Sequence, residues 1–183
     1  MRKNSPGKWR HLEYFTRQED GKYAYSGSHM ICAMDPADYR RLCLRLLAIS
    51  GGLGAMLTAA GCFPRTGMEG NPLVLLPYVA ELAAALLLCL SLFRMRRDGT
   101  RLRRYQYEKN VYAASRRAAE GLAASVAGAG GWILSAVLHS GNGRGAGSIL
   151  LKLSCIAGAV GFFFIYRQCG KISWKEEAAS ERS

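Results

Sequence analysis

The sequence predicts an all-α integral membrane protein, a four-helix transmembrane bundle with both termini in the cytoplasm and a small cytoplasmic β-hairpin ahead of it. Three observations lead there. Four apolar blocks, Leu42 to Phe63, Leu73 to Phe93, Leu122 to Leu138 and Ile149 to Tyr166, hold most of the hydrophobic residues. As helices rising about 1.5 Å per residue they match a bilayer core of about 30 Å. A basic strip, Arg94 to Arg117, sits between the second and third blocks and carries nine Lys/Arg against Asp98 and Glu108. Of the 25 Lys/Arg, eight precede the first span, nine lie in this strip and four in the tail, while only Arg65 and Arg144 fall in the two opposite loops. That asymmetry obeys the positive-inside rule and sets the orientation.

The mean hydropathy near zero conceals this organisation, because averaging ignores where apolar residues cluster. The net charge of +12 is likewise explained by its location, and no aromatic-rich module accompanies it, so a nucleic-acid partner is not expected. The expected spans are about 40–63, 73–94, 119–139 and 148–167, within a bundle covering 36–168. Around it lie a cytoplasmic segment 1–35, the basic loop 94–117 and a tail 169–183. The localisation expected is the cell membrane, multi-pass.

Residues 1–34 lack an early apolar core, so the first span itself is expected to target the chain. Ala59-Ala60-Gly61-Cys62 has the look of a lipoprotein signal end, but Ala59 stands where a bulky aliphatic residue is usual and the polar leader is too long. His11 to Thr16 and Lys22 to Ser26 are aromatic-rich and flank the turn-forming Gln18-Glu19-Asp20-Gly21, which predicts the hairpin; His29 to Ala33 is a third extended piece expected to add to it.

Asp35-Pro36 opens the first helix, with a capping Asp and a Pro whose missing N–H costs nothing at that position. Its Ser50-Gly51-Gly52-Leu53-Gly54-Ala55 run predicts a close helix contact. Asn71-Pro72 opens the second helix in the same way. Pro77 follows and withdraws the N–H that the Leu73 carbonyl would accept. Asp98-Gly99-Thr100 reads as a turn, with Thr100 capping a helix from about Arg101. The third block is dominated by Gly, Ala and Ser and is expected at the centre of the bundle, leaving the Leu-rich second span more exposed to lipid. In the tail, Trp174 is expected to touch the membrane surface. A shift of 76 positions sets Gly52 on Gly128, Gly54 on Gly130 and Gly67 on Gly143, a match that small-residue composition can itself produce.

Three ionisable residues fall within the apolar blocks: Glu81, Lys152 and Arg45. Glu81 lies roughly 12 Å and Lys152 about 6 Å below the external end by helix rise, and a pair between them would lock the second span to the fourth. Unpaired, Glu81 must be neutral or hydrated. Arg45 is near enough to the cytoplasmic interface to reach headgroup phosphate. Arg96, Arg97, Arg101, Arg103 and Arg104 are the candidate contacts to anionic lipid or to a partner. His139 stands at the external end of the third span as an interfacial residue.

The six cysteines contain no C-x-x-C pair and no His at ligand spacing, so free thiols and no metal are expected. No P-loop, G-x-S-x-G or H-E-x-x-H motif occurs, which points away from an enzyme and from any cofactor. The function expected is that of a non-enzymatic accessory or interaction subunit, whose partners are the bilayer and either another protein or further copies of the chain. The alternative is a small oligomeric transporter or channel component that uses Glu81.

Overall fold

The computed structural model describes residues 15–17, 23–25, 27–63, 71–138 and 146–177. The protein is mostly helical. Four long helices, α1 (Pro36–Gly61), α2 (Pro72–Asp98), α4 (Ala113–Leu138) and α5 (Ala146–Lys171), carry the architecture. Residues in α1, α2 and 147–171 of α5 form helices long and apolar enough to cross a membrane. Both predicted helix starts are present. Asp35 accepts a hydrogen bond from the Ala37 N–H at 2.9 Å, and Asn71 accepts one from Leu73 at 3.2 Å, each with a Pro in the first helical position.

Around the bundle the order is α1, α2, α4, α5, so α1 packs on α2 and α5, and α4 on the same two. This corrects the expected arrangement of the small faces. The α2–α4 contact is the most extensive in the bundle, while α2 remains, as expected, the most open of the three most apolar helices, with Leu76, Val79, Leu86 and Leu90 exposed. In α1, Gly51 and Gly52 are exposed and a Cβ on Gly51, Gly52 or Gly54 would meet nothing within 4 Å. The close approaches lie elsewhere. A Cβ on Gly121 would stand 2.5 Å from the Phe162 ring, one on Gly161 2.6 Å from Leu53, and one on Gly131 2.3 Å from the Leu73 carbonyl oxygen. With little hydrophobic drive between helices in lipid, such contacts and inter-helix hydrogen bonds hold a bundle together. Tyr78 donates to the Leu57 carbonyl at 3.0 Å, Tyr39 to Met95 at 3.3 Å, and Asn71 Nδ2 to Ser135 Oγ at 2.7 Å.

The hairpin strands are present as β1 (Phe15–Arg17) and β2 (Tyr23–Tyr25), paired antiparallel with Thr16 opposite Ala24. Their turn, residues 18–22, lies outside the described residues, as do His139, Arg65 and Arg144. The third piece, β3 (His29–Cys32), does not add to this hairpin. It is the middle strand of a separate antiparallel sheet, between β4 (Arg101–Arg103) and β5 (Trp174–Glu177). Met30 stands opposite both Leu102 and Glu176.

The sheet also corrects the helix expected at Arg101. Residues 101–103 read Arg-Leu-Arg; extended, they bury Leu102 completely and leave both arginines outside, an alternation that only a strand provides. Helix resumes as the single turn α3 (Arg104–Tyr107), widens into a π-helical turn over Glu108–Tyr112, and runs on as α4. There the buried Asn110 donates to Asp98 at the end of α2. Gly99, at φ +81°, makes the reversal between α2 and β4, a conformation that favours glycine. Trp174 is edge-on to Tyr39 at 5.9 Å and to Tyr107 at 5.4 Å between ring centroids, so it packs within the protein.

Ser28 donates to Glu176 at 2.6 Å, and Arg104 and Arg101 pair with Glu176 at 2.8 Å and Glu177 at 2.7 Å. The Ser28 hydroxyl first, and then the Arg104 guanidinium, hold the Glu176 carboxyl below its usual range. A lowered value means that the ionised form contributes its stability above the unfolded carboxylate range and loses it as pH falls through the folded value. Acidification below about pH 4 is therefore expected to loosen β5, read as faster amide exchange in that strand. Glu176→Gln should show the loosened strand at neutral pH, without the acid step.

Candidate functional site

The inner face of α2 is a stripe of buried residues, Val74, Tyr78, Glu81, Ala84, Ala85, Leu88 and Leu92, with Glu81 the one charged type among them. Helical periodicity places it there; exposure is 0%. From α4, Ser125 donates to Glu81 Oε1 at 2.7 Å and is also 3.0 Å from the Gly121 carbonyl. From α5, Cys155 stands beside the same carboxyl. Gly158 makes the space: a Cβ there would stand 1.9 Å from Oε1. Glu81 Oε2 has no hydrogen-bond partner.

Of the alternatives open to Glu81, the pair with Lys152 does not form. Lys152 lies with its ammonium 4.9 Å from the centre of the Trp132 ring, a cation–π contact on the side of α5 turned toward α4. Lys152 is exposed at this position and Glu81 is fully enclosed, so reach along the helix axis was never the deciding term. An ionised carboxylate without a cation would cost a few kcal/mol in a bilayer, more than one hydrogen bond offsets. The site offers Glu81 one hydroxyl and no cation among the described residues. Glu81→Gln and Lys152→Gln are accordingly expected to act independently, with stability losses in detergent that add to within about 0.5 kcal/mol. A double variant that recovers stability would restore the ion pair.

No protein-family model matches the chain. No curated protein and no solved structure matches it either. Among the described residues no group of three His, Cys, Asp or Glu side chains is placed to hold a metal ion. The cysteines are free thiols, with Cys32, Cys43, Cys155 and Cys169 buried.

The arginines divide into two sets. Arg101 and Arg104 are engaged by Glu177 and Glu176 of the tail, and Arg97 Nε is 3.7 Å from Asp98. Arg103 points outward from β4, its backbone N–H donating to Gln106 at 3.2 Å, and Arg96 is exposed at the end of α2. The second set was not visible as a set in the sequence. Arg45, Arg94, Arg116 and Arg167, one on each long helix, are all exposed, and Arg116 Nε is 3.2 Å from Glu120 of its own helix. The contacts Ser50–Ala85, Ser125–Glu81 and Leu53–Gly161 fix the helix registers, which bring Arg45, Arg116 and Arg167 to about one level and Arg94 about one turn nearer the sheet. The contributions of Ser125, Cys155 and Gly158 to the Glu81 site were missed as well, because within a run of small residues nothing distinguishes the one that faces a carboxyl.

Proposed function

We propose that the chain is a four-span membrane protein with cytoplasmic termini, acting as a non-enzymatic accessory or interaction subunit. Its sheet end meets anionic headgroups and a partner. The observation that carries this reading is the sheet itself: the amino-terminal segment, the central basic loop and the tail, which the sequence presents as three separate polar pieces, pair as β3, β4 and β5. That makes a preorganised platform, which binds at a smaller entropic cost than loose tails. The exposed arginines, one on each of the four helices and within about one turn of a common level, support placing a headgroup layer just beneath it, where each cation contributes about 1 kcal/mol toward anionic lipid. α4 supports the fourth span, being a 26-residue helix lodged between α2 and α5.

Two measurements test the proposal. On a background lacking native thiols, single cysteines near Arg65 and Arg144 should label from outside, and those near Thr100 and Lys175 should not; outside labelling at Thr100 would reverse the topology. In nanodiscs of mixed phosphatidylcholine and phosphatidylglycerol, the wild type should enrich phosphatidylglycerol around itself. The Arg45/Arg94/Arg116/Arg167→Gln variant should not, and equal enrichment would remove the headgroup role.

A second reading, a small oligomeric transporter or channel component, is favoured by the enclosed Glu81 with its partnerless oxygen. It requires a pH-dependent flux in liposomes that Glu81→Gln abolishes at unchanged stability.

A further inference from the structure

Arg117, at the foot of α4, is the one cation among the described residues with an enclosed nitrogen that nothing in the protein satisfies: Nε is buried and has no hydrogen-bond partner, while the residue as a whole is half-buried. It stands on the side of α4 turned to α2. Gly131, four turns further along nearly the same side, is the residue that meets the Leu73 carbonyl of α2. The stem of Arg117 therefore lies in the α2–α4 seam. Of its nitrogens Nε alone is enclosed and unbonded, so the fork of the guanidinium comes to the surface.

Arg94 reaches the same seam from α2. Residues four apart share a helix face, and Asp98, four on from Arg94, is bonded by Asn110 in the turn that leads into α4. The contacts Asn110–Asp98 and Ser125–Glu81 set the register of these antiparallel helices and put Arg117 opposite residues 89–91 of α2, about one turn from Arg94, or about 5 Å along the axis. The lean of helical side chains closes that offset. Cα–Cβ bonds tilt toward a helix's N-terminus, so Arg94 starts out away from the sheet and Arg117 toward it.

Carboxylates do not neutralise this seam. Glu120 is held by Arg116 at 3.2 Å, and Asp98 accepts from Asn110 and lies 3.7 Å from Arg97. Neither Arg94 nor Arg117 has an ion pair among the described residues. Further from the sheet the same flank turns apolar, with Leu87 and Ala80 of α2 and Ala127 of α4 exposed. Charge followed by hydrocarbon is the order of groups in a phospholipid.

We infer that Arg94 and Arg117 form a seat for the phosphate of one anionic phospholipid of the sheet-side leaflet, whose chains lie along the α2–α4 flank. Planar guanidinium forks take phosphate oxygens in pairs, and basic pockets between spanning helices on the cytoplasmic side are sites for lipid headgroups. The positive excess selects the net charge of the lipid, since it repels the quaternary ammonium of a choline headgroup. Arg45 and Arg167 differ in kind: each adds to a general attraction, whereas here two helices bring cations to one phosphate. The seat rests on the headgroup reading of the sheet end and narrows it to a single bound lipid.

Two measurements on the full chain test it. In nanodiscs of phosphatidylcholine, p-hydroxyphenylglyoxal, which reacts with accessible guanidinium groups, is applied to the wild type and each arginine is followed by peptide mass spectrometry. Adding phosphatidylglycerol should slow modification of Arg94 and Arg117 many-fold, and that of Arg45 and Arg167 much less. Equal slowing at all four would overturn the seat and leave the general headgroup layer; no slowing at any would remove both. In the second, native mass spectrometry counts the lipids retained in detergent. The wild type should hold one phosphatidylglycerol at a lipid concentration about tenfold below that needed for phosphatidylcholine. Arg94→Gln/Arg117→Gln should lose that preference, while Arg40→Gln/Lys171→Gln, which removes two exposed cations from the same end, keeps it. Arg117→Lys, which retains the charge and the stem but not the fork, should weaken retention as well. Loss of the preference in both double variants, or displacement of the phosphatidylglycerol by millimolar inorganic phosphate, would overturn the inference. The protection assay uses the wild type, so its outcome does not depend on any variant folding.

Discussion

Gly131→Ala is expected to lower the thermal midpoint of the protein in detergent, whereas Gly130→Ala, one position away, leaves it unchanged or raises it. Pro77 frees the Leu73 carbonyl, and α4 approaches α2 closely enough there that a Cβ on Gly131 would stand 2.3 Å from that oxygen. The obstacle is backbone, so no rotamer change relieves it, and forcing two helices apart costs about 1–3 kcal/mol, occasionally more. A Cβ on Gly130 meets nothing within 4 Å, and its only consequence is the better helix propensity of alanine, about 1 kcal/mol. Gly128→Ala falls between the two, in ordinary contact at 3.6 Å with Pro77 and Cys155. Size-exclusion profiles and unfolding midpoints of the three variants form the test; similar values for Gly131→Ala and Gly130→Ala would mean that α2 and α4 do not meet in this register.

Gly158→Ala is the second large effect, and its cause is the site. The added methyl would occupy the position of Glu81 Oε1 and come within 3.2 Å of Ser125 Oγ, so the carboxyl has to leave its hydroxyl partner. A buried polar group set adrift costs about 1–3 kcal/mol. The clash is with the end of a side chain, so it can be removed: in a Glu81→Ala background the same methyl should cost far less, giving a coupling energy of about 1–3 kcal/mol in the double-mutant cycle. Losses that add without coupling would place Gly158 against something other than Glu81. The contrast with Gly131 is informative, because no single side-chain change should rescue a methyl that meets backbone.

Helix ends were legible in the sequence because their causes are local. Asp35-Pro36, Asn71-Pro72 and the positive-φ Gly99 each act through their own neighbours, and each stands where its chemistry predicts. The length and composition of the apolar blocks likewise gave the helices, since a run of that kind has few other stable forms. Glu81 stood out for the same reason: a carboxylate within an apolar block is conspicuous whatever surrounds it.

The partners of these residues were decided only by tertiary structure. β3, β4 and β5 are three to four residues long, too short for a periodic signal, and they join positions about 70 and 140 residues apart, so nothing local marks Leu102 for a strand in place of a helix. Lys152 and Glu81 were matched by depth alone, but a helix also has a side. Rotation about the axis turned Lys152 to Trp132 and left Glu81 to Ser125 and Gly158. Which glycines are contacts follows the same rule. Gly130 and Gly131 are adjacent in sequence and about 100° apart around the helix, so one faces open space and the other a carbonyl oxygen. The sequence by itself determined that there are membrane-length helices, where they begin, and which buried charge needs an explanation, because each depends on a residue and its near neighbours. The order of helices around the bundle, the joining of three distant segments in one sheet, and the hydroxyl that meets Glu81 were left to tertiary structure, because each depends on how one helix is rotated against another.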